Sequence, residues 1–156
     1  MTEDDVIALV GRLPGVVTVQ ASEANGAPPV AWGDSFFFYD PDDRPEDRRM
    51  PFATVVTHDY DGFDTASELN RPGVFRLNLA VGRARFEEVV GWAPAEHPAR
   101  SAGVDYAVLD RVIPHPVYAA QGWVSIVGPR TASQVRELVE HAHARAVRAW
   151  RPRAGG

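Results

Sequence analysis

The stretch GVFRLNLAV, residues 73–81, constrains the fold more than any other. Phe75, Leu77, Leu79 and Val81 fall on one side of a period-two pattern, and Arg76, Asn78 and Ala80 fall on the other. Alternation this strict describes a strand with one face in a core, because a slip of one residue would turn every apolar side chain toward water. The apolar face must be covered, and helices carrying an apolar stripe can cover it. Arg76, on the opposite face, must then end in solvent, in a pocket or in an ion pair.

The rest of the chain supplies such helices at both ends. TEDDVIALVGRLPGV reads as a helix with Thr2 as N-cap and Val6, Leu9, Val10 and Leu13 at helical spacing, stopped by Pro14-Gly15. A longer helix is predicted from about Thr131, opened by a capping box of Thr131 and Gln134 and carrying Val135, Leu138, Val139, Ala142 and Ala146. GRARFEEVVG is a short helix with Phe86, Val89 and Val90 on one stripe and Gly91 just past its end. VVTVQA, SFFFYD, FATVVT and WVSIV read as further strands, with Asn25-Gly26 as a hairpin signal after the first. DPDDRPEDRRMP, from Asp40 to Pro51, is an exposed loop, and WAPAEHPARSAG a Pro, Ala and Gly-rich connection. The expectation is an α+β domain: a mainly antiparallel β-sheet with the N- and C-terminal helices packed on one face. At 156 residues, 45% of them hydrophobic, the chain suffices for one core and not for two, so a single domain over residues 1–150 and a tail over 151–156 are expected.

Composition excludes several functions. There is no cysteine, which removes disulfides, thiolate metal sites and thiol nucleophiles together. The acidic opening MTEDDVIALV is unlike a secretory signal and no apolar run is long enough for a membrane span, so a cytoplasmic protein is expected, with no membrane partner. All sixteen basic residues are Arg, against a net charge of −5. Fourteen acids face four Arg up to Glu68, and seven face twelve from Leu69 onward. A local basic excess runs from Arg130 to Arg153, where six Arg face two acids along the terminal helix; it reads as a solvated face, and no nucleic-acid partner is expected.

Three segments together resemble a known family: VAWGDSFFFYDP, PFATVVTHDYDGFDTASELNRPGVFRLNLAVGRARFEEVVG and DYAVLDRVIPHPVYAAQGWVSIVGP. They look like an actinobacterial domain-of-unknown-function family that is distantly similar to the MmcQ/YjbR-like proteins, with RPGVFRLN and the HPVY…W segment the most specific. The resemblance implies an MmcQ/YjbR-like α+β fold and no established activity. Some relatives carry an erythromycin-esterase label, and MmcQ/YjbR-like proteins are often called DNA-binding. The residues themselves offer no G-x-S-x-G elbow around Ser35, Ser67, Ser101, Ser125 or Ser133, and His141 and His143 are two apart on a helix, unlike a zincin pair.

HDYDGFDTASE concentrates the acids. Counted from Asp59, Gly62 is fourth and Glu68 tenth, where an EF-hand needs its Gly sixth and its Glu twelfth, so a structured turn is expected and neither metal nor cofactor. His115 lies between Pro114 and Pro116, with a short helical turn after it ended by Gly122; such stiffness suits either a ligand contact or a cap on that turn. Arg76 and Asn78 could hold an anion through the guanidinium fork, or Arg76 could pair with an acid of the Asp59–Glu68 loop. Trp32, Tyr39, Tyr118 and Trp123 read as core or pocket-wall aromatics. The leading expectation is a non-enzymatic binding or interaction domain for a small molecule or a protein, with Arg76, Asn78, His115, Tyr118 and Trp123 as ligand-binding residues and no catalytic residue. The alternatives are a hydrolase pairing His58 or His115 with Asp59 or Asp61, and a DNA-binding protein.

Overall fold

The computed structural model describes residues 1–48 and 50–152. Six antiparallel strands form one sheet: β1 (Val16–Gln20), β2 (Ser35–Tyr39), β3 (Ala53–Val56), β4 (Arg76–Ala80), β5 (Val112–Pro114) and β6 (Trp123–Val127), in the order β1-β2-β3-β4-β6-β5. The alternating segment is thus central, with Leu77 opposite Val55 and Ile126, and Asn78 opposite Thr54 and Ser125. The described helices are α1 (Glu3–Gly11), α2 (Gly82–Val90), the short α3 (His97–Arg100) and α4 (Ala132–Ala149). Among the described residues no helix is long and apolar enough to cross a membrane.

Val6 and Val10 of α1, Phe86 of α2, and Val135, Leu138, Val139 and Ala142 of α4 share one core cluster with Phe37, Val55, Phe75, Leu77, Leu79, Val124 and Ile126. α1, α2 and α4 therefore lie on one face, as the α+β reading requires. The other face is covered by loops, over a smaller cluster of Val56, Leu69, Ile113 and Val127.

Local expectations mostly hold. Thr2 caps α1 in a box with Asp5, and Gly91 ends α2 in the left-handed region. Asn25-Gly26 does not make a tight hairpin; Gly26 closes a single 3-10 turn inside a longer connection, in which the Asn25 side chain bonds the amide of Ser22 and the carbonyl of Gln20. The WAPAEHPARSAG connection winds into short helical turns that include α3. β5 has no counterpart in the sequence reading, because three residues ending in Pro114 give no alternation; Pro114 is tolerated there since β5 is an edge strand.

The capping box expected at Thr131 does not form. Instead Asp110, itself at a positive φ of 58°, accepts from the amides of Arg130 and Thr131 and from the Thr131 hydroxyl, while Gln134 donates to the Asp110 carbonyl. A residue twenty positions upstream caps the helix from outside.

At the foot of β4 and β6 two backbones touch: a Cβ on Gly122 would stand 3.1 Å from the Gly82 Cα, and Gly122 has φ +85°. Gly26, at φ +78°, has open space around it. Both would suffer the left-handed penalty on substitution, so Gly26→Ala should cost about 1 kcal/mol and Gly122→Ala about 2 kcal/mol or more in urea denaturation, because backbone cannot step aside.

Candidate functional site

The loop-covered face of the sheet carries a continuous polar network. Arg76 is 0% exposed. Its Nε donates to Asn78 Oδ1 at 2.8 Å, one terminal nitrogen to Asp64 Oδ1 at 3.0 Å and Ser67 Oγ at 3.1 Å, and the other to Asp64 Oδ2 at 2.5 Å. Of the roles open to Arg76, the internal pair with the acidic loop is the one formed. Asn78 donates in turn to Thr54 Oγ1 on β3 and accepts from Ser125 Oγ on β6. Fork, carboxylate, amide and hydroxyls thus satisfy one another, as a buried network must.

The acidic loop separates its carboxylates. Asp64 faces inward to Arg76, and Asp59 accepts from the Leu69 amide while its own amide donates to Asn70. Asp61 and Glu68 are exposed, and among the described residues no three metal-ligating side chains converge.

His115 sits beside this network, 4% exposed. Its Nδ1 accepts from the amides of both Val117, at 2.9 Å, and Tyr118, at 3.0 Å, so the ring caps the turn that Pro116 opens. Two amides on Nδ1 force the proton of the neutral ring onto Nε2, which has no hydrogen-bond partner among the described residues. Burial, and secondarily the Arg76 charge, push the His115 pKa down to about 3, against a smaller opposing effect of Asp64. The ring packs 4.9 Å from Tyr118 and edge-on to Trp123 at 6.2 Å. Tyr118 is 40% exposed and stands 6.4 Å from Phe63, which is 59% exposed. The five residues singled out in the sequence are therefore neighbours: Arg76 and Asn78 are bonded, His115, Tyr118 and Trp123 touch, and His115 feels Arg76 electrostatically. Trp32, by contrast, lies outside both core and cluster, half exposed and donating to the Ala27 carbonyl.

A second polar cluster escaped the sequence reading. Asp34, fully buried at the start of β2, accepts from the Thr57 amide at 2.8 Å, the Thr57 hydroxyl at 3.1 Å and the Tyr60 hydroxyl. Burial pushes the Asp34 carboxyl up, against those bonds, and pushes the Tyr60 phenol up with help from Asp34. His58 stacks on Tyr60, bonds Thr57 Oγ1 through Nδ1 and meets the Val30 carbonyl through Nε2. Its acidic neighbour is Asp34, at 3.7 Å, and both ring nitrogens are engaged. Nearby, a concavity of about 650 Å³ opens where α1 starts, lined by Glu3, Thr57, Leu69 and Arg71. Burial raises the Glu3 carboxyl, and the Arg71 guanidinium is already bound to the carbonyls of Ser67, Glu68 and Ala107. His141 and His143 diverge as expected, to the carbonyls of Val81 and Pro14.

A family model, DUF6194, described as a family of unknown function, matches residues 1–155. Comparison with curated proteins found no match, and comparison with solved structures found none.

Two predictions follow from the buried charges. Removing one partner strands the other, so Arg76→Ala or Asp64→Ala should each cost about 3–5 kcal/mol in urea denaturation, whereas an Arg76→Met/Asp64→Leu double variant should come close to wild type. For His115 the unfolded ring titrates near 6.5 and the folded one at about 3. As pH falls below 6.5 protons bind the unfolded chain first. Stability present at neutral pH is lost by up to about 1.4 kcal/mol per pH unit down to the folded value, and His115→Asn should flatten that loss.

Proposed function

The chain belongs to DUF6194, and we propose that this member of the family is a binding domain for a small planar molecule, seated by a hydrogen-bond acceptor on Nε2–H of His115. The observation that carries the reading is the fixed tautomer: a buried imidazole with Nδ1 committed to two amides, its second nitrogen unpartnered among the described residues, beneath exposed aromatic rings. A ring held neutral through the physiological range is a constant donor, and a carbonyl or ring nitrogen is its natural complement. Tyr118 and Phe63 supply flat apolar walls, and Trp123 stands edge-on to the imidazole. Arg76 and Asn78 act from beneath, fixing the sheet under the site. Because Asp64 already meets the Arg76 charge, the seat favours a neutral ligand over an anion.

Binding is favoured over hydrolysis because the expected acid/base pairs are engaged elsewhere. Asp59 caps a loop, Asp61 is exposed, and His58 is held by Thr57 and Val30. A protonated, low-pKa His115 Nε2 is a donor and not a base. The DNA-binding reading loses support just after α4, where Arg151 folds back onto the carbonyls of residues 148 and 150; Arg153 lies outside the described residues. The actinobacterial and MmcQ/YjbR kinship and the cytoplasmic setting belong to the same proposal, the kinship resting on the α+β sheet with helices on one face.

The test is a thermal-shift and calorimetric screen of planar heteroaromatic carbonyl compounds. His115→Asn keeps an acceptor for the two amides and removes the Nε2 donor, so it should weaken any hit by about tenfold or more while the protein still folds. A hit bound equally by wild type and His115→Asn refutes the assignment.

A further inference from the structure

The C-terminal half of α4 carries Ala142, Ala146 and Ala149 on one stripe, at spacings of four and three. Small side chains there leave space unfilled beside the helix, and a groove of about 590 Å³ runs between α4 and the connection from β2 to β3. Four aromatic rings stand among its charged lining residues, Phe38, Tyr39, Trp123 and Trp150, with Tyr39 edge-on to Trp150 at 6.2 Å. A space of this size with flat apolar walls fits a ring system.

The charges in the groove are unequal in kind. Arg48 is bridged to Asp40 and Asp43, Arg44 to Glu46 and Asp47, and Arg151 is spent on main-chain carbonyls. Arg145 makes no hydrogen bond or ion pair with a described residue. Its side chain passes over Gly82: a Cβ there would stand 2.5 Å from Nε and 3.3 Å from the guanidinium carbon. Gly82 adopts φ +82°, and the absence of its side chain is what admits the arginine. Arg145 is thus the lining arginine with neither an acid nor a carbonyl of a described residue bonded to it, and although Asp42 adds an acid to the lining, this cation beside aromatic rings suits one negative charge on a planar body.

We infer that this groove is a second ligand site, for a small planar aromatic carboxylate whose acid group is met by Arg145 and whose ring lies between Trp123 and Trp150. It goes beyond the His115 site, resting on other residues apart from Trp123, and it selects an anion where that site selects a neutral acceptor. The carboxylate is met through the free face of the guanidinium fork, which an amide of the same shape cannot match because it brings no charge.

The experiment follows the indole N–H resonances of Trp123 and Trp150 in the full-length, nitrogen-labelled protein during titration with 2-naphthoate and, in parallel, 2-naphthamide. The naphthoate should shift both resonances saturably, and the amide should bind about tenfold more weakly or worse. Arg145→Gln, an exposed and conservative change on a helix, should bring the naphthoate down to the affinity of the amide. The site is refuted if millimolar naphthoate leaves the Trp150 resonance unmoved, if acid and amide bind alike, or if Arg145→Gln binds naphthoate as wild type does.

Discussion

The arrangement of the non-helical half of this protein depends on one buried ion pair. A sheet whose three longer helices lie on one face leaves the other face for water or for loops. Here loops cover it, and they can do so only because the polar residues of that face are answered. Arg76 is the hardest to answer, since an unpaired guanidinium in the interior would cost far more than the surrounding apolar contacts return. Asp64 answers it with two oxygens, Ser67 and Asn78 with one each. Once Asp64 is fixed, so is the turn that carries it: Tyr60 and Asp64 pair through their backbones, which brings the Tyr60 hydroxyl to Asp34 and Phe63 to Tyr118. The acidic loop is therefore a clamp across the sheet, and its exposed tip forms one wall of the surface above His115.

The sequence carried the face of Arg76 and the class of its partner, because period-two alternation and a run of acids are local signals. It did not carry which acid. Asp61 and Asp64 differ by three positions within one tight turn, and the choice between them is made by the Tyr60–Asp64 bridge, a tertiary outcome. Asp34 was invisible for a related reason: it follows a glycine at the start of a strand, as many solvated turn aspartates do, and its partners lie 23 and 26 residues further on. The helix cap fails in the same way. Thr131 and Gln134 have the spacing of a capping box, but Asp110, from another part of the chain, takes the Thr131 amide that Gln134 would have met and the Thr131 hydroxyl as well, with a charged acceptor in place of an amide oxygen. Local patterns therefore located the strands and helices, while the long-range polar bonds that lock them together had no local signature.

The clustering of Arg76, Asn78, His115, Tyr118 and Trp123 was legible as a set of residues, yet its electrostatic character was not. Seen in sequence, Arg76 is a charge and His115 a titrating group. In the fold each has lost that property: the arginine is neutralised by Asp64, and the histidine is held neutral by burial and by Arg76 itself. Asp64 thus removes an anion site, while burial and the two amides on Nδ1 make His115 a fixed hydrogen-bond donor.

Free positive charge survives where the backbone makes room for it. Gly82 and Gly122 press together at the strand ends, and the space that a side chain on Gly82 would fill is taken by Arg145, reaching across from α4. An arginine passing over glycine backbone gains no carboxylate there, so its charge is left to solvent and to the groove it borders. Whether a guanidinium selects for anions is decided less by its presence in the sequence than by whether the fold supplies an acid within reach. For Arg76 the acidic half of the chain supplies one; for Arg145, on the basic half, nothing among the described residues does.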